Sequence, residues 1–198
     1  IRRGLPWVAT NLDATVPSPR GPLPGNGSLV AALQHATGVT PVSTGKPDPS
    51  MHRETVERSG AQRPLVVGDR LDTDIEGANA VGCASMLVLT GVTSAADLLA
   101  APDGQRPSYI AHGLGGLLEG HPAPEAGEGT ITCGAWSVAP GDDLRLAMLP
   151  GQMRGAPLDA LRSLCLAAWR TGVTRCAADD AHADAVLNEL GLRKSSAA

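Results

Sequence analysis

The sequence predicts an α/β protein built on a parallel sheet, followed by a second, smaller α/β unit. Three observations carry that prediction. Apolar segments of strand length alternate with segments of helical periodicity from Thr40 to Ala111, the rhythm of βαβ units. Pro64-Leu65-Val66-Val67 is apolar throughout, as suits a strand covered on both faces. Beyond a Pro/Gly-rich stretch after Gly120, the pattern becomes hairpin, helix, strand, helix.

Taken in order, Trp7-Val8-Ala9 is a short strand ending at Thr10-Asn11, and a Pro/Gly loop follows from about Asp13 to Gly27. Ser28 then caps a helix whose apolar residues Leu29, Val30, Leu33 and Ala36 keep helical spacing, and Gly38 ends it. A strand from Thr40 to Ser43 leads to Thr44-Gly45-Lys46-Pro47, and Pro49 opens a helix running to Ser59-Gly60. The apolar strand stops at Gly68-Asp69. Thr73 with Glu76 three residues on reads as a capping box, so a helix is expected from Asp74 to Gly82. Ser85 to Leu89 is the next strand, Ser94 with Asp97 caps a helix through Ala100, and Tyr109-Ile110-Ala111 is a further strand. Residues 121–129 read as a linker. Thr130 to Ala139 then alternates like one strand, Pro140-Gly141-Asp142-Asp143 turns, and Leu144 to Leu149 returns as its partner. Ala156 to Thr171 is an amphipathic helix, Val173 to Ala177 a strand and Asp184 to Leu190 a final helix.

Composition narrows the function classes. The chain has 198 residues, 16 basic against 20 acidic side chains and a net charge of −4, which gives no electrostatic reason to hold nucleic acid or an anionic membrane. Hydrophobic residues at 42% suffice for a core, but aromatics at 2% leave it to Ala, Val and Leu. Cys83, Cys133, Cys165 and Cys176 form no C-x-x-C pair and lack matching His spacing, so free thiols are expected and a zinc site is not. No run reaches the ~18 apolar residues of a membrane helix, and a cytoplasmic protein is the expectation.

Ligands of an open parallel sheet collect at the carboxyl ends of its strands. Asp69 sits there, directly after Val66-Val67-Gly68, with Asp72 and Asp74 close behind. Carboxylates so concentrated repel one another unless a cation lies among them, and oxygen ligands suit Mg²⁺. Taken alone, Asp69 and Asp74 could equally cap a turn and a helix. Lys46, flanked by Gly45 and Pro47 in a loop expected on the same sheet edge, tilts the reading toward a phosphate held between an ammonium and a hydrated metal ion.

With Trp7-Val8-Ala9-Thr10-Asn11-Leu12-Asp13, Gly25-Asn26-Gly27-Ser28, Ser43-Thr44-Gly45-Lys46-Pro47, Gly68-Asp69-Arg70-Leu71-Asp72-Thr73-Asp74 and Leu89-Thr90-Gly91-Val92 in this order, the chain resembles the haloacid dehalogenase superfamily, class IIA, sugar-phosphate phosphatases with a large cap. The resemblance covers residues 1 to about 120. It implies a Rossmann-like core, with residues 1–44 the end of the cap and 45–120 the carboxyl-terminal half of the core. It also implies that Lys46 holds phosphate, that Asp69 is a Mg²⁺ ligand and that Asp74 orients Lys46 or a metal-bound water. Asn11 and Asp13 lead into a substrate-selecting loop from Ala14 to Leu23, where Val16 stands at the place of a polar reader and Arg20 is the charged candidate.

Members of this superfamily attack phosphate with the first aspartate of Asp-x-Asp-Gly, and that motif does not occur in these residues. With Ile1-Arg2-Arg3-Gly4 reading like the last turn of a helix, the expectation is that an N-terminal half of the same protein carries the nucleophile and that this chain alone hydrolyses no phosphate ester. The implied function is a Mg²⁺-dependent phosphatase for glycerol 3-phosphate, phosphoglycolate or a sugar phosphate. The alternative is a ligand-sensing regulatory protein on the same scaffold. Residues 130–198 weakly resemble the second half of GCN5-related acetyltransferases, with Pro157 where that motif wants a small residue, and are read as a structural or dimerising module.

Overall fold

The computed structural model describes residues 1–45 and 48–193. Its first elements are β1 (Val8–Ala9), β2 (Thr15–Val16), β3 (Leu23–Pro24), α1 (Asn26–Thr37) and β4 (Val42–Ser43). β1 and β4 pair in parallel, Val8 beside Val42 and Ala9 beside Ser43, so Thr10-Asn11 and Thr44-Gly45 leave the same end of this small sheet. The contact there is close: a Cβ on Gly45 would lie 1.6 Å from the Thr10 carbonyl oxygen.

The loop expected from Asp13 to Gly27 instead contains an antiparallel hairpin of β2 and β3. Gly21, at φ 95°, and the Ser18 hydroxyl, donating to the Gly21 carbonyl at 2.7 Å, close its tip. α1 begins at Asn26 with Gly25 in the cap position, three residues ahead of the expected cap, and Ser28 donates to the Ala14 carbonyl at 2.7 Å. The hairpin is the cause. Gly25 and Gly27 donate to the Ala14 and Asp13 carbonyls at 2.8 and 2.9 Å, and a Cβ on Gly27 would lie 2.1 Å from the Leu12 carbonyl oxygen. Of the four apolar residues that keep helical spacing, only Val30 is buried; Leu29 and Leu33 are 61% and 47% exposed, because no described element covers that side of α1.

α2 (Ser50–Ser59) follows Pro49 and ends at Gly60, and then come β5 (Leu65–Gly68), a π-helical turn (Leu71–Ile75), α3 (Glu76–Ala80), β6 (Ala84–Val88), α4 (Ala95–Leu99) and β7 (Tyr109–Ala111). β5, β6 and β7 form a parallel sheet in that order, as the alternation predicts. β5 departs from its predicted two-sided burial. It is an edge strand whose Leu65 is exposed and whose Val66 and Val67 are half-buried, since no described strand pairs with its outer side. The predicted capping box of α4 is complete, with Ser94 accepting from the Asp97 N–H and Asp97 accepting from Ser94.

The remaining elements are β8 (Glu125–Ala126), β9 (Ile131–Cys133), β10 (Trp136–Pro140), β11 (Leu144–Met148), α5 (Pro157–Thr171), β12 (Cys176–Ala178) and α6 (Ala181–Glu189). They build a five-stranded sheet ordered β12-β11-β10-β9-β8, with β11 and β12 parallel. A turn at Gly134, φ 56°, divides the alternating run read as one strand into β9 and β10. The stretch 121–129, read as a linker, supplies β8. α6 starts three residues earlier than expected because Asp180 caps it, accepting from His182 and Ala183 N–H at 2.8 Å each.

One apolar core runs through both units, from Leu71, Ile75, Leu87, Leu98 and Ile110 to Trp136, Leu144, Leu161, Leu164 and Leu187. Polar contacts bind the same seam. The Trp169 indole donates to the Leu98 carbonyl at 3.0 Å, and buried Arg162 donates to Asp159 at 2.5 Å and to the Ile110 carbonyl at 2.8 Å. All four cysteines are free thiols. No helix among the described residues is long and apolar enough to cross a membrane.

Candidate functional site

β5 ends at Gly68 and delivers Asp69 to the carboxyl edge of the parallel sheet, where the sequence reading expects it. Close packing fixes this edge. A Cβ on Gly68 would lie 2.3 Å from Asp74 Cβ and Cγ, and one on Gly91 would lie 1.9 Å from Asp69 Oδ2. The Val92 N–H donates to Asp69 Oδ2 at 3.0 Å, and the Thr93 hydroxyl donates to the Asp69 carbonyl at 2.7 Å. The loop after β6 thus holds both ends of Asp69.

Asp74 is buried, and its Oδ2 accepts from the Asp69 and Arg70 N–H groups at 3.2 Å each. The carboxylate therefore fastens the turn that carries Asp69 from beneath. This arrangement replaces the predicted capping box: Thr73 is turned inward with its hydroxyl unpartnered, and Glu76 accepts instead from the Gln105 amide at 2.8 Å. The five-residue turn Leu71–Ile75 has π geometry, a wide turn that recurs at functional sites.

Asp72 does not join Asp69 and Asp74. It turns outward to pair with Arg70, taking Nε and Nη2 at 3.1 and 2.8 Å, and the expected group of three carboxylates is not formed. The Asp72 hydrogen bonds raise the Arg70 pKa above its ordinary value against the opposing effect of burial, and the charges of Asp72, Asp13 and Asp69 add to the rise. Arg70 is thus held on this turn by Asp72. Sequence reading missed it, because an Arg between two aspartates on an exposed turn usually signals only a surface ion pair.

On the cap side, Asn11 is committed to its own chain. Its Oδ1 accepts from the Asp13 N–H at 3.2 Å, and its carbonyl accepts from the Asn26 amide at 2.7 Å. This Asx turn aims the following residues, and Asp13 Oδ1 is buried without a hydrogen-bond partner. Arg20 lies apart from these residues, exposed at the tip of the β2–β3 hairpin beside Ser18, and Val16 is 49% exposed. Lys46 lies outside the described residues.

The donor set fits a Mg²⁺ ion. That ion keeps several waters and takes one or two carboxylates plus substrate phosphate, so an open site needs few protein oxygens. Asp69 offers a carboxylate whose Oδ2 is oriented by a backbone N–H and whose second oxygen remains for a cation. Among the described residues no three His, Cys, Asp or Glu side chains converge into a closed cage.

In the second unit, α5 starts with Pro157, which has no N–H, and carries Asp159 in its first turn, held by Arg162. The helix end that would receive a pyrophosphate already holds a carboxylate.

Comparison with known proteins agrees with both readings of the chain. Residues 43–117 match the HAD-hydrolase-like family, and residues 133–192 match the GCN5-related N-acetyltransferase like domain. The D-glycerol 3-phosphate phosphatase of Mycobacterium tuberculosis is 57% identical over 117 residues, covering 59% of this chain and 33% of that protein. The dihydroxyacetone phosphatase of Corynebacterium glutamicum is 35% identical over 121 residues, or 60% of this chain and 43% of that protein. A crystal structure of the M. tuberculosis glycerol phosphate phosphatase with magnesium superimposes with a TM-score of 0.82 at 41% identity, over 97% of this chain and 57% of that one. That match takes in the C-terminal unit as well. The chain spans a third to nearly three fifths of the length of these relatives. Asp69, Arg70 and Asp74 all lie within the residues that match the HAD-hydrolase-like family.

Proposed function

We propose that the protein containing this chain is a Mg²⁺-dependent phosphatase of small phosphorylated metabolites, with glycerol 3-phosphate foremost and phosphoglycolate or sugar phosphates as the related class. The observation that carries this reading is Asp69, presented at the carboxyl end of a parallel strand and held there by Val92, Thr93 and the buried Asp74. The names of the relatives, two of them phosphatases of three-carbon phosphates, support it.

In this reading Asp69 holds Mg²⁺, and the ion supplies charge neutralisation for the phosphate. Asp74 keeps the Asp69 turn rigid, so little rearrangement accompanies binding. Lys46 holds the phosphate, and Asn11 and Asp13 shape the cap wall over it. The nucleophile is an aspartate of the same protein outside these residues. It attacks phosphorus to give an aspartyl-phosphate, expels the alcohol and is released by water. Two features of the chain favour such a completing part: the open outer edge of β5, beside Asp69, and the apolar surface of Leu29, Leu33, Val8 and Val42 on the cap side. The four unpaired thiols suit a reducing cytosol.

Metal removal tests the proposal. The whole protein should release phosphate from glycerol 3-phosphate, lose that activity on chelation and regain it with Mg²⁺. Activity that survives chelation would sink the reading.

A further inference from the structure

His121 stands at the seam between the parallel-sheet unit and the C-terminal unit, and both of its ring nitrogens are engaged. Nε2 lies 2.8 Å from the Gly116 carbonyl oxygen in the 3₁₀ turn Leu114–Leu118, and Nδ1 lies 3.1 Å from Arg162 Nη2 on α5. These partners fix the tautomer. A carbonyl only accepts and a guanidinium only donates, so His121 is neutral, with its hydrogen on Nε2 and a lone pair on Nδ1. Arg162 spends the two hydrogens of Nη2 on His121 and on the Ile110 carbonyl of β7, while its Nη1 holds Asp159. One guanidinium of the C-terminal unit thereby binds β7 and, through His121, the segment that joins the units.

A proton on Nδ1 undoes this arrangement. It removes the acceptor of one Nη2 hydrogen and places a second cation 3.1 Å from the guanidinium. The Arg162 side chain is 9% exposed, so little water is at hand to replace the lost acceptor. The surrounding groups offer no ready compensation. Asp159 is taken by Arg162, and its Oδ2 packs so closely on Gly134 that a Cβ there would lie 2.4 Å away. Tyr109 of β7 presents its ring, 5.3 Å between centroids, and Glu119 is exposed. Cys165 of α5, in the wall of the same cavity as His121, and Cys133 of β9, whose thiol donates to the Pro122 carbonyl, are kept neutral by burial.

We propose that the contact of His121 with Arg162 is a pH-sensitive latch between the two units, closed while the imidazole is neutral and released when it takes up a proton. Histidine is the side chain whose ordinary change of charge falls between pH 5 and 8. The unfolded chain accepts that proton freely and the latched state does not, so the latch adds stability at pH 8 and loses it as pH falls. The proposal stands independently of the phosphatase reading.

The test compares the whole native protein with His121→Gln by denaturant unfolding at pH 8 and pH 5. Glutamine keeps an acceptor for Arg162 and a donor for Gly116 but takes up no proton. Between the two pH values the folding equilibrium constant of the native protein should fall on the order of 10-fold more than that of His121→Gln. His121→Ala should be weaker than the native protein at pH 8 and should lack this extra fall, which separates lost packing from titration. Equal falls in the native protein and His121→Gln overturn the latch. Two measurements on the native protein decide the matter even if His121→Gln does not fold. NMR of the ring at pH 8 should show hydrogen on Nε2 alone, and hydrogen on Nδ1 at that pH overturns the proposal. Hydrogen exchange of the β7 and α5 amides should quicken, relative to the rest of the protein, as the ring protonates; ring protonation without that change overturns it as well.

Discussion

At Asp69 two glycines and one backbone N–H set the position of a single carboxylate. Gly68 and Gly91 are there for space, not for unusual dihedral angles: neither has a positive φ, and a methyl group on either would strike Asp74 or Asp69. Gly91→Ala should therefore displace the Asp69 carboxylate while leaving the parallel sheet intact. Mg²⁺ affinity of the whole protein, followed by calorimetry, should fall on the order of 10-fold or more, with little change in circular dichroism. Unchanged affinity would mean that Asp69 does not need its present orientation. The place of Asp69 was legible because an apolar run ending in Gly-Asp sets the aspartate at the carboxyl end of a strand. Arg70 and Asp74 were harder, since their roles depend on which way each side chain turns. Asp74 turned inward to bind two N–H groups, which cancelled the Thr73–Glu76 capping box and sent Asp72 outward. Spacing alone cannot distinguish those outcomes.

Among the elements, α5 and α6 show how local chemistry and packing divide the work. α5 was readable because its amphipathic pattern is long and ends at Gly172, which has φ 76°. α6 began earlier than expected because its cap, Asp180, also reaches β11, accepting from the Met148 N–H at 2.8 Å. Burial opposes ionisation of Asp180, but the N–H groups of Met148, Ala183 and His182 outweigh it and hold its pKa below 3.8. A carboxylate with a lowered folded-state pKa stabilises the fold above its unfolded value, about 3.9, and that contribution disappears as pH falls through the folded value. Asp180→Ala should cost about 1 kcal/mol at pH 7, and the gap to the native protein should narrow below about pH 4. Equal gaps at pH 7 and pH 3, measured by denaturant unfolding, would contradict this account. Arg162 offers a second test at the seam between the units. Its side chain is 9% exposed and binds Asp159 and the Ile110 carbonyl. Arg162→Met leaves a buried carboxylate unpaired and should cost roughly 3 kcal/mol. A loss under about 1 kcal/mol in denaturant unfolding would indicate that the seam is held by apolar contact alone.

For the whole molecule, the parallel sheet, the order of its elements and the place of Asp69 were all legible in the sequence. How the two units meet was not. Residues 121–129 have the composition of a linker, yet they furnish an edge strand, and His121 within them meets Arg162 at 3.1 Å. Composition reports that a segment lacks helix and strand propensity, not that a neighbouring sheet edge waits to pair with it. The same limit applies to α1, whose apolar face was predicted correctly as a pattern but is largely uncovered within this chain. Both observations bear on the central claim, that Asp69 is the metal-holding residue of a phosphatase completed by further parts of the same protein. The most direct measurement is kcat/KM of the whole protein for glycerol 3-phosphate with saturating Mg²⁺, before and after Asp69→Ala. The account predicts a fall of at least about 100-fold, with the melting temperature nearly unchanged; an enzyme that keeps its activity without this carboxylate would contradict it.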